Sequence, residues 1–167
     1  MLVLLAFLPL FIVLVPLLVL IVSTKDFDVR QGAICDLNNF QKSRTKFIVV
    51  LTLFYICQGV YIITISTKYL PLIVLALVIG IFGLPFSSHS KIHQIPTAVG
   101  NALIILTMLF LSSSLHLTLI ILFMALLGLV VTYRMIVHKR FLFWILEFII
   151  LTSYGAWNLS LLFLQRL

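Results

Sequence analysis

Two histidines four residues apart, His89 and His93, have the spacing that most suggests metal chemistry. They lie in the stretch FGLPFSSHSKIHQIPTAVGN, residues 82–101. The spacing places two imidazoles on one face of a helix, and in the HExxH pattern it binds zinc with the glutamate as base. This stretch contains no glutamate, and the cation of Lys91 opposes a bound dication. A catalytic zinc needs a third protein ligand, so we predict no metal site. The two remaining histidines, at the ends of later apolar segments, are His116 and His138.

The same stretch also has the composition of a turn between two apolar segments. Pro85 is placed to end one helix and Pro96 to be the first residue of the next, with serines between them to bond free backbone groups. In such a turn His89, Lys91 and His93 form a candidate lipid-headgroup site, because a basic residue near an anionic membrane contributes about 1 kcal/mol of attraction. The turn is the leading interpretation, and within it headgroup binding is favoured over metal binding.

Glu147 is the one acidic residue inside a predicted membrane-crossing segment. An ionised carboxylate near the centre of such a helix costs on the order of 3 kcal/mol, so it needs a partner or a proton. Helical steps of three and four residues place Tyr154 and Asn158 on the same stripe as Glu147. Gln58 and Asn101, on other segments, can meet this stripe. These five side chains are the candidate ligand-binding site, and we predict that Glu147 faces inward and approaches Gln58 or Asn101.

Three roles are open for Glu147. It can lie near enough to the cytoplasmic interface to be hydrated, it can form a structural hydrogen bond between helices, or it can bind a proton or a ligand. The amides and tyrosines of the other segments can likewise be interhelical contacts instead of the lining of a cavity. The stripe therefore predicts a polar side of the helix without assigning its role.

The common catalytic patterns are absent from the sequence. It contains no GxSxG nucleophile motif, no glycine-rich phosphate loop and no pair of carboxylates within the apolar segments. All histidines fall near segment ends and all lysines fall between segments, which argues against intramembrane haem or retinal. We therefore expect a non-enzymatic protein without a cofactor.

Membrane helices must position these residues. The chain is 63% hydrophobic and 9% charged, whereas soluble domains carry roughly 25% charged residues. Runs of about 20 apolar residues span a bilayer. We predict an all-α polytopic integral membrane protein: a single domain, residues 1–167, folded as a six-transmembrane-helix bundle with one long loop at 23–46. The predicted spans are 2–22, 47–66, 70–86, 96–112, 115–135 and 141–164.

Basic residues are divided unequally between the two predicted sides. Nine of the eleven Lys and Arg residues follow spans one, three and five, and two lie on the opposite side. The positive-inside rule then makes the nine-charge side cytoplasmic and places both termini outside, in a plasma or inner membrane. The net charge of +7 is thus explained by topology, without a nucleic-acid partner. Segment 70–86 is short, and a re-entrant path there would invert the topology beyond it.

Several short motifs carry a family resemblance. They are the Ile-x-Asp-Leu stretch ICDLNNF at 34–40, a glycine near the middle of the second span, Gly59, and Gly-x-Phe-Gly-x-Pro-Phe at 80–86. A histidine-containing connection then runs into span four. The arrangement resembles the DUF998 family of six-span membrane proteins, which is similar to the wider Frag1/DRAM/Sfk1 group. The resemblance implies an architecture and no biochemical activity.

The functional expectation follows from these observations. We expect a non-enzymatic multi-pass protein that binds a membrane lipid or a partner, which can be another membrane protein or a second copy of the chain. The alternative is a small transporter or substrate-binding membrane subunit that uses the intramembrane polar site around Glu147. A lipid-modifying enzyme is the third interpretation.

Overall fold

The computed structural model describes residues 2–136 and 143–164, and throughout these ranges the regular structure is helical, as predicted. Two short 3-10 turns, Ile34–Asn39 and Thr67–Tyr69, lie between the longer helices. The helices are α1 (Leu2–Ser23), α2 (Gln41–Ile65), α3 (Leu70–Gly83), α4 (Lys91–Leu111), α5 (Leu115–Ile136) and α6 (Phe143–Leu164).

Helix α1 continues through two prolines. Proline lacks the N–H that bonds to the carbonyl four residues earlier, which breaks helices in water but is tolerated in membrane helices. Pro9 lies within the first α-helical part, Leu2–Ile12, and Pro16 lies within a π-helical turn at Val13–Leu17. The wider turn keeps the helix continuous where Pro16 interrupts the normal ladder.

Helix α4 begins earlier than the sequence predicts, because Ser90 caps it. The hydroxyl of Ser90 accepts a hydrogen bond from the backbone N–H of His93 at 3.2 Å, and helical geometry starts at Lys91. A serine at this position stabilises a helix start by typically about 1 kcal/mol. The prediction that Pro96 is the first helical residue is therefore wrong, since Pro96 lies inside the helix.

Other helix ends differ from prediction by a few residues. Helix α2 begins at Gln41, within the predicted loop 23–46, and α3 ends at Gly83, two residues before Pro85. Pro85 has no backbone N–H to continue the helical hydrogen bonds, which explains the early end. Residues 141 and 142, at the start of the last predicted span, lie outside the described residues.

Each helix packs on the next along the chain, and α6 returns to pack on α1. A close approach between α3 and α4 occurs where Ala76 and Gly80 meet Gly100. A Cβ added at Gly100 would lie 2.6 Å from the Cα of Gly80 and 2.8 Å from the carbonyl oxygen of Ala76. Only glycine at position 100 permits this contact between backbones.

The outer surface of the bundle is apolar. Leu4, Val22, Val78 and Leu129 are each more than 60% exposed, and so broad an exposed apolar surface is typical of contact with lipid. Helices α1, α2, α4 and α6 are long and apolar enough to cross a membrane, and two shorter apolar helices accompany them at Thr67–Gly83 and Leu115–Val131. The regular structure of residues 2–136 and 143–164 is thus all helical, with four candidate membrane spans in these ranges.

Candidate functional site

A pair of amides joins α2 to α6 in the interior. Gln58 Nε2 donates to Asn158 Oδ1 at 3.0 Å, and Asn158 Nδ2 donates to Gln58 Oε1 at 2.8 Å. The hydroxyl of Tyr61 donates to the backbone carbonyl of Asn158 at 2.7 Å. Both amides are fully buried, so each supplies the hydrogen bonds that the other loses on leaving water.

A second interior cluster forms around Asn101 on α4. Asn101 Nδ2 donates to the hydroxyl of Tyr55 at 2.8 Å and to the carbonyl of Thr97 at 2.9 Å, while Tyr154 donates its hydroxyl proton to Asn101 Oδ1 at 3.1 Å. The ring of Phe54 packs edge-on against both tyrosines, at centroid distances of 5.7 Å to Tyr55 and 5.5 Å to Tyr154. Helices α2, α4 and α6 are thereby joined through one amide.

Glu147 does not share these clusters. Its Oε2 accepts a hydrogen bond from the backbone N–H of Ile34, the first residue of the 3-10 turn Ile34–Asn39, at 2.5 Å. Within the described residues, the carboxylate makes no hydrogen bond to Gln58 or Asn101, so the predicted contact with either amide is wrong. The loop that precedes α2 folds back over the beginning of α6 and supplies a hydrogen-bond donor to Glu147.

The same loop makes further contacts with α6. The backbone N–H of Trp144 donates to the carbonyl of Gly32 at 3.1 Å, and its indole N–H donates to the carbonyl of Val29 at 2.7 Å. We call this end of the bundle, made of residues 24–46 and 84–94, the loop-side face.

Cys35 lies in the 3-10 turn, next to the residue that Glu147 binds. Burial raises the pKa of the Cys35 thiol well above its ordinary value, and the negative charges of Glu147 and Asp36 raise it further. Each cause disfavours the thiolate, which is the reactive form of cysteine. The arrangement therefore favours the protonated, less reactive form of Cys35.

The loop-side face is held together by side chains that cross from the 3-10 turn to the α3–α4 connection. Asn38 Nδ2 donates to the carbonyls of Leu84, at 2.8 Å, and Phe86. Arg44 donates to the carbonyl of Pro85 at 2.6 Å. These carbonyls follow the end of α3, where backbone acceptors have no helical partner.

Asn39 and Asp36 bind the serines of the same connection. Asn39 Nδ2 donates to Ser88 Oγ at 2.7 Å, and Ser87 Oγ donates to Asn39 Oδ1 at 3.1 Å. Ser88 Oγ donates in turn to Asp36 Oδ1 at 2.7 Å, while Asp36 Oδ2 accepts from the N–H of Ala33 at 2.9 Å. The predicted turn between α3 and α4 is therefore joined to the 3-10 turn Ile34–Asn39 by a set of hydrogen bonds, which we call the clasp.

The three candidate headgroup residues are separated by burial. His89 and Lys91 are exposed, and His89 Nε2 lies 4.0 Å from Asp36 Oδ1. His93 is only 2% exposed, and its Nδ1 donates to the carbonyl of Gly83 at 2.9 Å. His93 thus packs beneath the surface that a headgroup would reach.

Three buried polar atoms near the end of α3 have no hydrogen-bond partner within the described residues: Asn38 Oδ1, His93 Nε2 and Thr97 Oγ1. Among residues 2–136 and 143–164, no three His, Cys, Asp or Glu side chains gather as a metal site. His116 lies at the beginning of α5, near Ser160 of α6, and His138 lies outside the residues that the structure describes.

Comparisons with protein-family models, with curated proteins and with solved structures each found no match. The resemblance of 34–40 and 80–86 to the DUF998 family therefore stays a prediction. The site has to be interpreted from its own geometry.

The sequence indicated the interior residues better than the loop-side face. Gln58, Asn158, Asn101 and Tyr154 do gather in the interior, because their helical spacing points them inward. The clasp made by Asn38 and Asn39 went unpredicted. The adjacent asparagines beside an Asp-Leu pair were the available signal, since such residues often bond to nearby backbone in turns.

Proposed function

We propose that the chain is a non-enzymatic six-span membrane protein that binds a phospholipid headgroup at its loop-side face. One observation carries the proposal: the interior amides Gln58, Asn101 and Asn158 bond to side chains of neighbouring helices, whereas the charged side chains that line two open clefts lie on the loop-side face. A binding surface at the level of the headgroups suits a membrane lipid, since basic residues there attract phosphate.

The six-span part of the proposal depends on α3. Its 14 α-helical residues are about 21 Å long at 1.5 Å per residue, short of the roughly 30 Å hydrocarbon core. The preceding turn Thr67–Tyr69 lengthens the apolar segment to Thr67–Gly83. Local thinning of the bilayer accommodates a short segment at modest cost, which supports a full crossing.

Cysteine labelling tests this topology. In a Cys35→Ser, Cys57→Ser background, we expect Lys68→Cys and Lys91→Cys, which lie on either side of α3, to be labelled by an impermeant maleimide from opposite sides of sealed vesicles. Lys91 should be cytoplasmic, with both termini outside. Labelling of both positions from the same side would contradict a full crossing by α3 and with it the six-span arrangement.

Lipid binding is tested by reconstituting the full chain in lipid nanodiscs and determining a density map. We expect an ordered headgroup against residues 24–46 on the loop-side face. A map in which this face holds only disordered solvent would contradict the proposal.

A transporter is the second candidate, because Gln58, Asn101, Tyr154 and Asn158 all lie in the interior. Their mutual hydrogen bonds support a structural role, as in most helical bundles. The same density map distinguishes the two functions, since a transporter requires a water-filled passage that reaches Asn101 from one side. Such a passage would favour transport over headgroup binding.

A further inference from the structure

A cleft lined by lysines opens between the end of α1 and the beginning of α2. Its volume is about 620 Å³, and the charged residues that line it are Lys25, Lys42, Lys46 and Asp26. With three positive charges and one negative charge, the lining carries a net charge of about +2, which favours a phosphate. We call it the lysine cleft.

A second cleft of opposite charge adjoins the first. Its volume is about 320 Å³, and its lining includes the carboxylates of Asp26, Asp28 and Asp36. Asp26 also lines the lysine cleft, as do the two residues Asn39 and Phe40. We call it the carboxylate cleft. Because three residues line both clefts, a small ligand can place one group in each.

Resting on the proposed function, we propose that these clefts together bind a phospholipid headgroup in which a phosphate and an ammonium group adjoin. The phosphate lies among Lys25, Lys42 and Lys46, and the ammonium group lies against the carboxylates beside Asp26. An ammonium group is a donor of charge-assisted hydrogen bonds to carboxylates. A purely anionic headgroup satisfies the lysine cleft and brings no cation to the carboxylate cleft, where Asp28 and Asp36 accept hydrogen bonds from neighbouring protein groups.

The position of the lysine cleft favours a lipid over free phosphate. Ser23 of α1 lines the cleft and is exposed. Val19, one turn earlier on the same face of α1, is 60% exposed on the apolar surface of the bundle. A headgroup in the cleft can therefore leave its acyl chains along α1, where free phosphate would gain no apolar contact.

The beginning of α2 adds to the attraction for phosphate. Phe40, the residue before the helix, provides no side-chain hydrogen bond to its first turn. Gln41 and Lys42, at the positive end of the helix dipole, both line the lysine cleft.

The test measures lipid binding to the purified full chain in dodecyl maltoside by native mass spectrometry. The probes are dioctanoyl phosphatidylethanolamine, which carries both groups, and dioctanoyl phosphatidylglycerol, which carries the phosphate without the amine. Wild type should bind phosphatidylethanolamine about fivefold more tightly than phosphatidylglycerol, which is the equivalent of one further charge contact.

Three variants locate the two groups. Lys42→Gln and Lys46→Gln should each weaken binding of both lipids about fivefold. Asp26→Asn should weaken phosphatidylethanolamine relative to phosphatidylglycerol and remove the preference. Lys68→Gln, a matched loss of positive charge at the α2–α3 connection, should change neither affinity. Thermal melting of each variant checks that the fold is kept.

The failures are distinguishable. Lipid binding that is unaffected by Lys42→Gln and Lys46→Gln, or a wild-type preference for phosphatidylglycerol, would overturn this inference and leave headgroup binding elsewhere on the loop-side face. Failure of both lipids to bind wild type would overturn the proposed function as well. Equal binding of free inorganic phosphate in competition would show that the site is not built for a lipid.

Discussion

The side-chain amides of Gln58 and Asn158 donate to each other across the centre of the bundle, at 3.0 and 2.8 Å. In an apolar interior, an unpaired amide loses its hydrogen bonds to water without replacement. The reciprocal pair avoids this cost and joins α2 to α6, two helices that are separated by most of the chain. It accounts for buried polar residues without requiring a ligand.

Removing one amide should therefore lower the free energy of unfolding by more per residue than removing both. We expect Gln58→Leu and Asn158→Leu each to lower the free energy of unfolding by about 1–3 kcal/mol, because each strands a buried partner. The double variant should lose less than the sum, with a coupling of about 0.6–1.7 kcal/mol. Unfolding in mixed micelles by increasing SDS measures all three.

Thr64→Val is the control for this cycle, because the Thr64 hydroxyl donates to the carbonyl of Tyr61 within its own helix. It should show no coupling to Asn158→Leu. Additive losses for Gln58→Leu and Asn158→Leu would contradict a direct bond between the two amides.

The contact between α3 and α4 predicts opposite outcomes for two glycines. At Gly100, an added methyl group would lie 2.6 Å from the backbone of Gly80, so Gly100→Ala should force the helices apart and lower stability by about 1–3 kcal/mol. At Gly80, the nearest atoms to an added Cβ are at 3.6 Å and beyond, which is ordinary contact.

Gly80→Ala is therefore the matched control. It should be neutral or stabilising, because alanine favours a helix over glycine by about 1 kcal/mol. Both variants can be compared by thermal melting in the same detergent. A melting temperature for Gly100→Ala at or above that of Gly80→Ala would contradict the helix contact described above.

The helices could be predicted from sequence because apolar runs of membrane length carry their own signal. The start of α4 was harder, since two helix-start signals, Ser90 and Pro96, lie six residues apart. Both are favourable locally. The structure uses Ser90, and the bond from the His93 imidazole to the carbonyl of Gly83 fixes the extra turn against α3. This contact between separate helices supports the boundary that the Ser90 cap sets, and local sequence does not contain it.

The partner of Glu147 was beyond prediction for a different reason. The sequence indicated that Glu147 needs a partner, because an ionised carboxylate is unfavourable in a membrane helix. The donor found is a backbone N–H 113 residues earlier in the chain. Every residue except proline carries such a donor, so the sequence does not indicate that Ile34, among all residues, would bind Glu147. Side-chain partners were considered because only they differ along the sequence.

Glu147 should stabilise the loop-side face by holding the 3-10 turn. Glu147→Leu removes the acceptor and should cost about 1–3 kcal/mol, because the buried N–H of Ile34 loses its bond. Glu147→Gln keeps an acceptor oxygen and should cost less. Hydrogen exchange by mass spectrometry should show faster exchange in residues 33–40 for the leucine variant. Faster exchange around Asn101 instead would indicate that the carboxylate acts in the interior.

The raised pKa of Cys35 predicts slow alkylation of the folded protein. In a Cys57→Ser background at pH 8, we expect a small maleimide to react more slowly with native protein than with protein unfolded in SDS, since the raised pKa of Cys35 lowers the fraction of thiolate. In the unfolded protein the rate should level off above the ordinary thiol pKa of about 8.5. In the folded protein it should still rise at higher pH.

The same measurement separates the causes of this pKa. Glu147→Gln removes one nearby negative charge, so the thiolate becomes less unfavourable and alkylation should be faster than in the folded parent. The gain should remain smaller than that produced by unfolding, because burial is the leading cause of the raised pKa and the variant leaves it in place. An unchanged rate in Glu147→Gln, with the pH profile also unchanged, would show that the carboxylate lies too far from Cys35 to influence its charge.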